Sequence, residues 1–225
     1  MKLFVAGCSI SDYNPYSNVN NVYGNHLSRL LDCEYVHEGA GCGSNHRIWR
    51  KITNHIIDGN LTNDDLLLIQ YTEKSRTEFF SNIPFPYGRT HLNNLSEDYN
   101  DGKIIRFKVG DNESYGRLNK EREFLNLYEE HFLDRDFVED EFKYHNYMFQ
   151  HMLKNNGIKT IFLKHFYNGD GLIEPFSGNS FQTDYKLLDN PKYRVSDIDH
   201  THFSEEGHNV IGEMLFEHIK KINIL

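Results

Sequence analysis

A chain of 225 residues with a formal charge of -9 fits one domain, large enough to bury about 70% of the surface its unfolded form would expose. Its 33 acidic residues outnumber 24 scattered basic ones, which argues against nucleic acid or an anionic membrane as the main partner, because phosphate is bound through clustered Lys and Arg. Cys8, Cys33 and Cys42 are odd in number and lack metal-ligand spacing, so a reduced protein without a disulfide framework is expected.

Val5-Ala6-Gly7-Cys8 has the form of a lipoprotein cleavage site, but only Met1 to Phe4 stand before it, short of the ~7–15 apolar residues a signal peptide needs. No run approaches the ~20 apolar residues of a spanning helix, so the expected location is the cytoplasm. The Asn- and Tyr-rich composition suits an AT-rich bacterial or phage genome.

In chain order, residues 2–6 read as a short central strand ending in small residues, and residues 23–31 as a helix. Residues 34–37 suit a second strand, and residues 44–57 a helix whose stripe is Ile48, Trp49, Ile52, Ile56 and Ile57. Leu66-Leu67-Leu68-Ile69-Gln70-Tyr71 is a continuous apolar run, as expected of a strand buried on both faces. From about 74 to 119 the rhythm breaks, with Pro84, Pro86 and several Gly and Asn. This stretch predicts an insertion of loops and a hairpin that includes residues 103–109.

Residues 120–155 are helical by pattern, broken near 134–136, with Tyr144, Tyr147, Met148, His151 and Met152 on the expected apolar face. Asn156-Gly157 is the stop. Residues 158–166 form the next strand, 167–195 are irregular, and Ser204 caps a last helix to about residue 220. Strands alternating with helices predict a parallel sheet covered on both faces, with its site outside the carboxyl ends of the strands. Ser9, residues 41–45, residues 71–73, Asp199 and His202 all fall at that rim.

These residues supply the parts for acyl transfer. A serine hydroxyl is a poor nucleophile until an imidazole takes its proton, and the imidazole needs a carboxylate or carbonyl to hold its tautomer. Ser9 is the candidate nucleophile, His202 the base, and Asp199, three residues earlier, can turn back onto the ring. Gly43 has no Cβ to keep the backbone from a developing oxyanion. Taken singly, each has a plain reading as a turn or solvated loop residue; the joint order favours the catalytic one.

Gly7-Cys8-Ser9-Ile10-Ser11, Gly41-Cys42-Gly43-Ser44-Asn45 and Asp199-x-x-His202 followed by Gly207-His208 together resemble the SGNH (GDSL-type) hydrolases, whose members cleave acyl esters. The resemblance spans nearly the whole chain. It implies one domain over 1–225 with the three-layer α/β/α, flavodoxin-like parallel sheet of the SGNH hydrolase fold and an insertion after the third strand. It also implies the Ser9, His202, Asp199 triad, with oxyanion donors at Gly43 and Ser9 and no metal or organic cofactor.

Two departures stand out: Cys8 where the family usually has Asp, and Gln70-Tyr71-Thr72-Glu73 where it commonly has Gly-x-Asn-Asp. Losing one oxyanion donor costs on the order of 3 kcal/mol, or ~10²–10³ in rate, unless Thr72 or Asn45 replaces it. His200, with Asp197 at the same spacing, competes with His202, and Cys8 competes with Ser9. The expected activity is hydrolysis of a small O-acyl, typically acetyl, ester on a small molecule or carbohydrate. An O-acyltransferase with the same triad, or an inactive carbohydrate-binding or structural module on this fold, are the alternatives.

Overall fold

The structure is a computed structural model that describes residues 1–12, 21–40, 43–72, 74, 127, 135–164, 171–183, 187, 189–195 and 202–225, and the backbone of 76–80 and 104–108. The first strand, β1 (Lys2–Gly7), pairs in parallel with β2 (Glu34–Gly39) and with β3 (Leu66–Gln70). After an antiparallel hairpin, β4 (Arg76–Phe80) with β5 (Ile104–Lys108), the sheet continues through β6 (Lys159–Lys164) and a two-residue edge, β7 (Phe181–Gln182). The order is β2-β1-β3-β6-β7, which without the hairpin is the flavodoxin-like order. Its switch point lies between β1 and β3, where the chain runs outward on both sides and leaves a crevice.

Alternating side chains of the buried strands face opposite layers. Leu3 and Val5 of β1, with Leu66 and Leu68 of β3, pack on α1 (Tyr23–Leu30) and the last helix, α4 (Glu205–Ile222). Phe4, Ala6, Leu67 and Ile69 pack on α2 (Asn45–Ile57) and α3 (Arg135–Asn155). Two separate cores on the two faces of one parallel sheet make the α/β/α sandwich. Asp65 fixes the start of two strands: its carboxylate accepts from Lys2 N at 2.7 Å and from Thr62 N at 3.0 Å. Burial alone would raise that carboxyl, but these amide donors outweigh it and hold it below its ordinary value.

Three expectations are corrected. Ile57, placed on the buried stripe of α2, is 75% exposed, because it sits in the last turn where the helix leaves the sheet. The apolar face of α3 is not the one carrying Tyr144, Tyr147 and Met148, which are all more than half exposed. The buried face runs Phe142, Asn146, Phe149, Gln150 and Leu153, a clean helical period containing two polar residues. Tyr71 Oη donates to Asn146 Oδ1 at 2.8 Å, and Gln150 bonds Gly171 O and Ile173 N, so both amides are satisfied in the core. The third correction is β7, which falls in a stretch expected to be irregular. Two residues in a Gly- and Asn-rich run leave no periodicity to read.

The hairpin agrees with the strand expected at 103–109. Much of the 74–119 insertion and of the helix expected before residue 135 lies outside the described residues. No helix among the described residues is long and apolar enough to cross a membrane.

Candidate active site

At the carboxyl end of β1 the chain turns sharply: Ser11 N donates to Cys8 O at 2.9 Å, so Ser9 and Ile10 occupy the centre of a β-turn. The turn is packed from below. Ser11 Oγ lies 2.5 Å from Tyr23 Oη and donates to Gln70 Oε1 at 2.8 Å, and Gln70 Nε2 donates to Cys8 Sγ at 3.3 Å. Burial pushes the Tyr23 phenol well above its ordinary range, with the Ser11 hydrogen bond opposing it, so the ring stays neutral in this network. Cys8 is fully buried and faces Gln70. Ser9 is half-buried and faces the other way, which removes the thiol from competition for the crevice.

Gly39 keeps the turn against β2. A Cβ there would stand 2.6 Å from the Ser11 carbonyl oxygen, a backbone atom that can move only with the Cys8–Ser11 turn. On the same side His37 Nε2 meets Asp12 Oδ1 at 2.9 Å and Tyr35 Oη meets His37 Nδ1 at 2.9 Å. Farther along, Glu38 takes His55 Nε2 at 2.7 Å and Arg47 Nη2 at 3.4 Å, while Arg47 Nη1 donates to the Glu38 carbonyl at 2.6 Å. Burial would raise the Glu38 carboxyl, but His55, Lys51 and Arg47 together lower it below its ordinary value.

His202 comes from the opposite end of the chain and reaches Ser9: Nε2 lies 2.9 Å from Ser9 Oγ. The contact is within the reach required of a base and its nucleophile. Nε2 can accept the hydroxyl proton only as the tautomer with its hydrogen on Nδ1. The loop holding the ring is pinned on both sides. Val195 N donates to His202 O at 3.1 Å, Arg194 bridges Phe203 antiparallel, and Ser204 N donates to Tyr193 O at 2.8 Å. Ser204 then caps α4 by accepting from Gly207 N at 3.2 Å. Phe203, directly after His202, is buried in the core beside α4.

Gly207 is required by close approach, since a Cβ would stand 2.7 Å from the Tyr193 carbonyl oxygen. Gly207→Ala is expected to displace the loop carrying His202 and lower any turnover that depends on the His202–Ser9 contact about 10–100-fold with the fold retained, checked by steady-state kinetics beside circular dichroism. Unchanged turnover would mean that the loop absorbs the methyl group without moving the imidazole.

The expected oxyanion donors are arranged differently from one another. Gly43 N donates to Ala40 O at 2.9 Å, so its N–H is turned into the preceding bend. Asn45, the first residue of α2, accepts from Thr72 N at 2.9 Å and donates to Thr72 O at 3.2 Å. This two-way clamp ties α2 to the end of β3. Thr72 Oγ1 is buried and has no hydrogen-bond partner among the described residues.

Asp199, with Asp197 and His200, lies outside the described residues, as do Gly41 and Cys42. Sequence reasoning missed Gln70, Ser11 and Tyr23, the buried network under Ser9. Its signal is a glutamine closing an otherwise apolar buried strand, a polar group that must find partners inside.

No protein-family model matches the sequence, and no curated protein is significantly similar to it. Solved structures are similar over the whole chain. A lipolytic protein of the G-D-S-L family from Desulfitobacterium hafniense aligns at 13% identity and a TM-score of 0.51, covering 96% of this chain and 98% of that one. A catalytic mutant of Axe2, an acetylxylan esterase from Geobacillus stearothermophilus, aligns at 13% and 0.51, covering 97% and 93%. The esterase EstA from a Pseudoalteromonas species aligns at 8% and 0.52, covering 98% and 97%. With the strand order and the two-core sandwich described above, the chain has the α/β fold of the SGNH, or GDSL-type, hydrolases.

Proposed function

We propose that this protein is a serine esterase that cleaves a small O-acyl ester through an acyl-serine intermediate. The observation that carries the reading is the 2.9 Å contact between Ser9 Oγ and His202 Nε2. It joins the two ends of the chain at the switch point of the sheet, where ligands of such folds bind.

In the first step Ser9 Oγ bonds to the acyl carbon while its proton passes to His202 Nε2. The carbonyl oxygen becomes an oxyanion. The Ser9 N–H and the Thr72 hydroxyl, which has no hydrogen-bond partner among the described residues, are the donors assigned to it; the Gly43 N–H joins them only if it leaves Ala40 O. Collapse of the tetrahedral species expels the alcohol, which takes the proton from Nε2. Water, deprotonated by the same nitrogen, then attacks the acyl-serine and regenerates Ser9. Asp199 is assigned to hold the His202 tautomer and to stabilise the imidazolium.

An acetyl group on a carbohydrate is the preferred substrate. Its support is the structural similarity to an acetylxylan esterase and the aromatic, polar make-up of the 74–119 insertion. The Gly43 amide bound to Ala40 O favours a second reading, in which a sugar hydroxyl replaces water as acceptor and binding of that acceptor opens the bend.

The purified protein is expected to hydrolyse p-nitrophenyl acetate with a burst of p-nitrophenol stoichiometric with enzyme, followed by slower turnover, as an acyl-enzyme requires. Free acetate released at an unchanged rate when a sugar acceptor is added supports the hydrolase, and acetyl transfer to the sugar supports the second reading. A folded protein with neither burst nor transfer overturns both.

A further inference from the structure

Outside the Ser9 crevice, three side chains from two helices converge with the chemistry of a metal site. His46 stands in the first turn of α2, and Glu141 and His145 stand one turn apart on α3, an i, i+4 spacing that puts both on one face. One ligand atom from each, an imidazole nitrogen or a carboxylate oxygen, lies within 4.8 Å of the other two. A tetrahedral ion with bonds of ~2.0–2.1 Å needs edges of about 3.3 Å, so small side-chain rotations close the set without moving either helix.

Three further features favour a cation there. His145 Nδ1 is buried without a hydrogen-bond partner among the described residues, a lone pair or N–H whose desolvation nothing offsets. Trp49 packs against both imidazoles, 5.2 Å from the His46 ring and 5.3 Å from the His145 ring, which limits their orientations. His46 and Glu141 border a small cleft of about 20 Å³ that Asn45, Trp49, Lys74 and Phe142 also line, so an ion has a way in and room for about one water as a further ligand. The one ammonium in that lining is engaged, with Lys74 Nζ 2.5 Å from Glu139 Oε2.

We infer that His46, Glu141 and His145 form a binding site for a borderline divalent cation, Zn²⁺ above all, that clamps α3 onto the start of α2. Two imidazoles and one carboxylate suit Zn²⁺ and its first-row neighbours and suit Mg²⁺ and Ca²⁺ poorly, since those ions take oxygen ligands. The bound ion would hold the first turn of α2, in which Asn45 clamps Thr72. The cysteine spacing that argued against a metal carries no information about ligands drawn from two distant helices. The Glu-x-x-x-His of α3 is the one part readable in sequence. The site is independent of the esterase reading.

The full chain, stripped with a chelator and dialysed, is titrated with ZnCl₂ by calorimetry and by thermal melting. One equivalent is expected to bind and to raise the melting temperature, with Mg²⁺ producing neither effect. Glu141→Gln and His145→Ala should weaken binding about 100-fold or more, since even residues that only support a ligand cost 10–100-fold. His151→Ala on the same helix should bind as the wild type does. Co²⁺ should bind in place of Zn²⁺ with the visible ligand-field spectrum of a low-coordinate site. Absence of a stoichiometric Zn²⁺ equivalent overturns the inference, as does binding that both ligand variants leave unchanged, which would be adventitious capture by other histidines. Glu141→Gln, isosteric and only half-buried, keeps the test open if His145→Ala fails to fold.

Discussion

Replacing Ser9 by Ala is expected to lower kcat for p-nitrophenyl acetate by about 10⁴-fold or more and to abolish the burst, with the melting temperature nearly unchanged. The magnitude follows from removing the atom to which the acyl group bonds; what remains is binding and oxyanion stabilisation. Stability should hold because Ser9 is half-buried and its partner His202 is itself half-buried and can turn to water. Cys8→Ala separates the rival nucleophile. Cys8 Sγ points at Gln70 inside the core, so that variant should lose stability through the Ser11–Gln70 network while keeping the burst. A burst that survives in Ser9→Ala and disappears in Cys8→Ala would reverse the assignment.

Glu38→Gln is expected to cost about 2–3 kcal/mol of stability at neutral pH, measured by urea denaturation. The variant keeps the shape of the side chain and removes the charge that Arg47, fully buried, is packed against. Arg47 retains its 2.6 Å bond to the Glu38 carbonyl, which keeps the loss toward the lower end of the range for a broken buried pair. The pH dependence has a definite sign. The Glu38 carboxyl is lowered in the folded protein from an ordinary value of 4.5, so its contribution is fully present above that value. The contribution is lost as pH falls through the lower folded value. The gap between wild type and Glu38→Gln should therefore narrow as the solution is made more acid than the ordinary carboxyl value. A gap that widens on acidification would mean that the carboxyl is raised, with burial winning over His55, Lys51 and Arg47.

The parallel sheet was legible because its central strands are buried on both faces and so appear as largely apolar runs, residues 66–69 most clearly. Helix α2 was legible through Ser44, which caps it by accepting from Arg47 N, and through Ile48 and Ile52 on its buried side. The face of α3 was not legible. Asn146 and Gln150 are core residues there, and a hydrophobicity pattern cannot separate a satisfied buried amide from an exposed one. Ser9 and His202 could be paired by motif, and the structure brings them together. The state of the oxyanion side could not be read, because the Gly43 N–H bond to Ala40 and the Asn45–Thr72 clamp are backbone geometry that residue types leave open.

The central claim is that Ser9 is a nucleophile activated by His202. The most direct measurement is to treat this protein with a serine-directed ethylphosphonate and locate the adduct by peptide mass spectrometry, beside His202→Ala. The account predicts one phosphonyl group on Ser9 of the wild type and little or none on Ser9 of the variant. A folded wild type left unlabelled, or labelled at the same rate without His202, would contradict it.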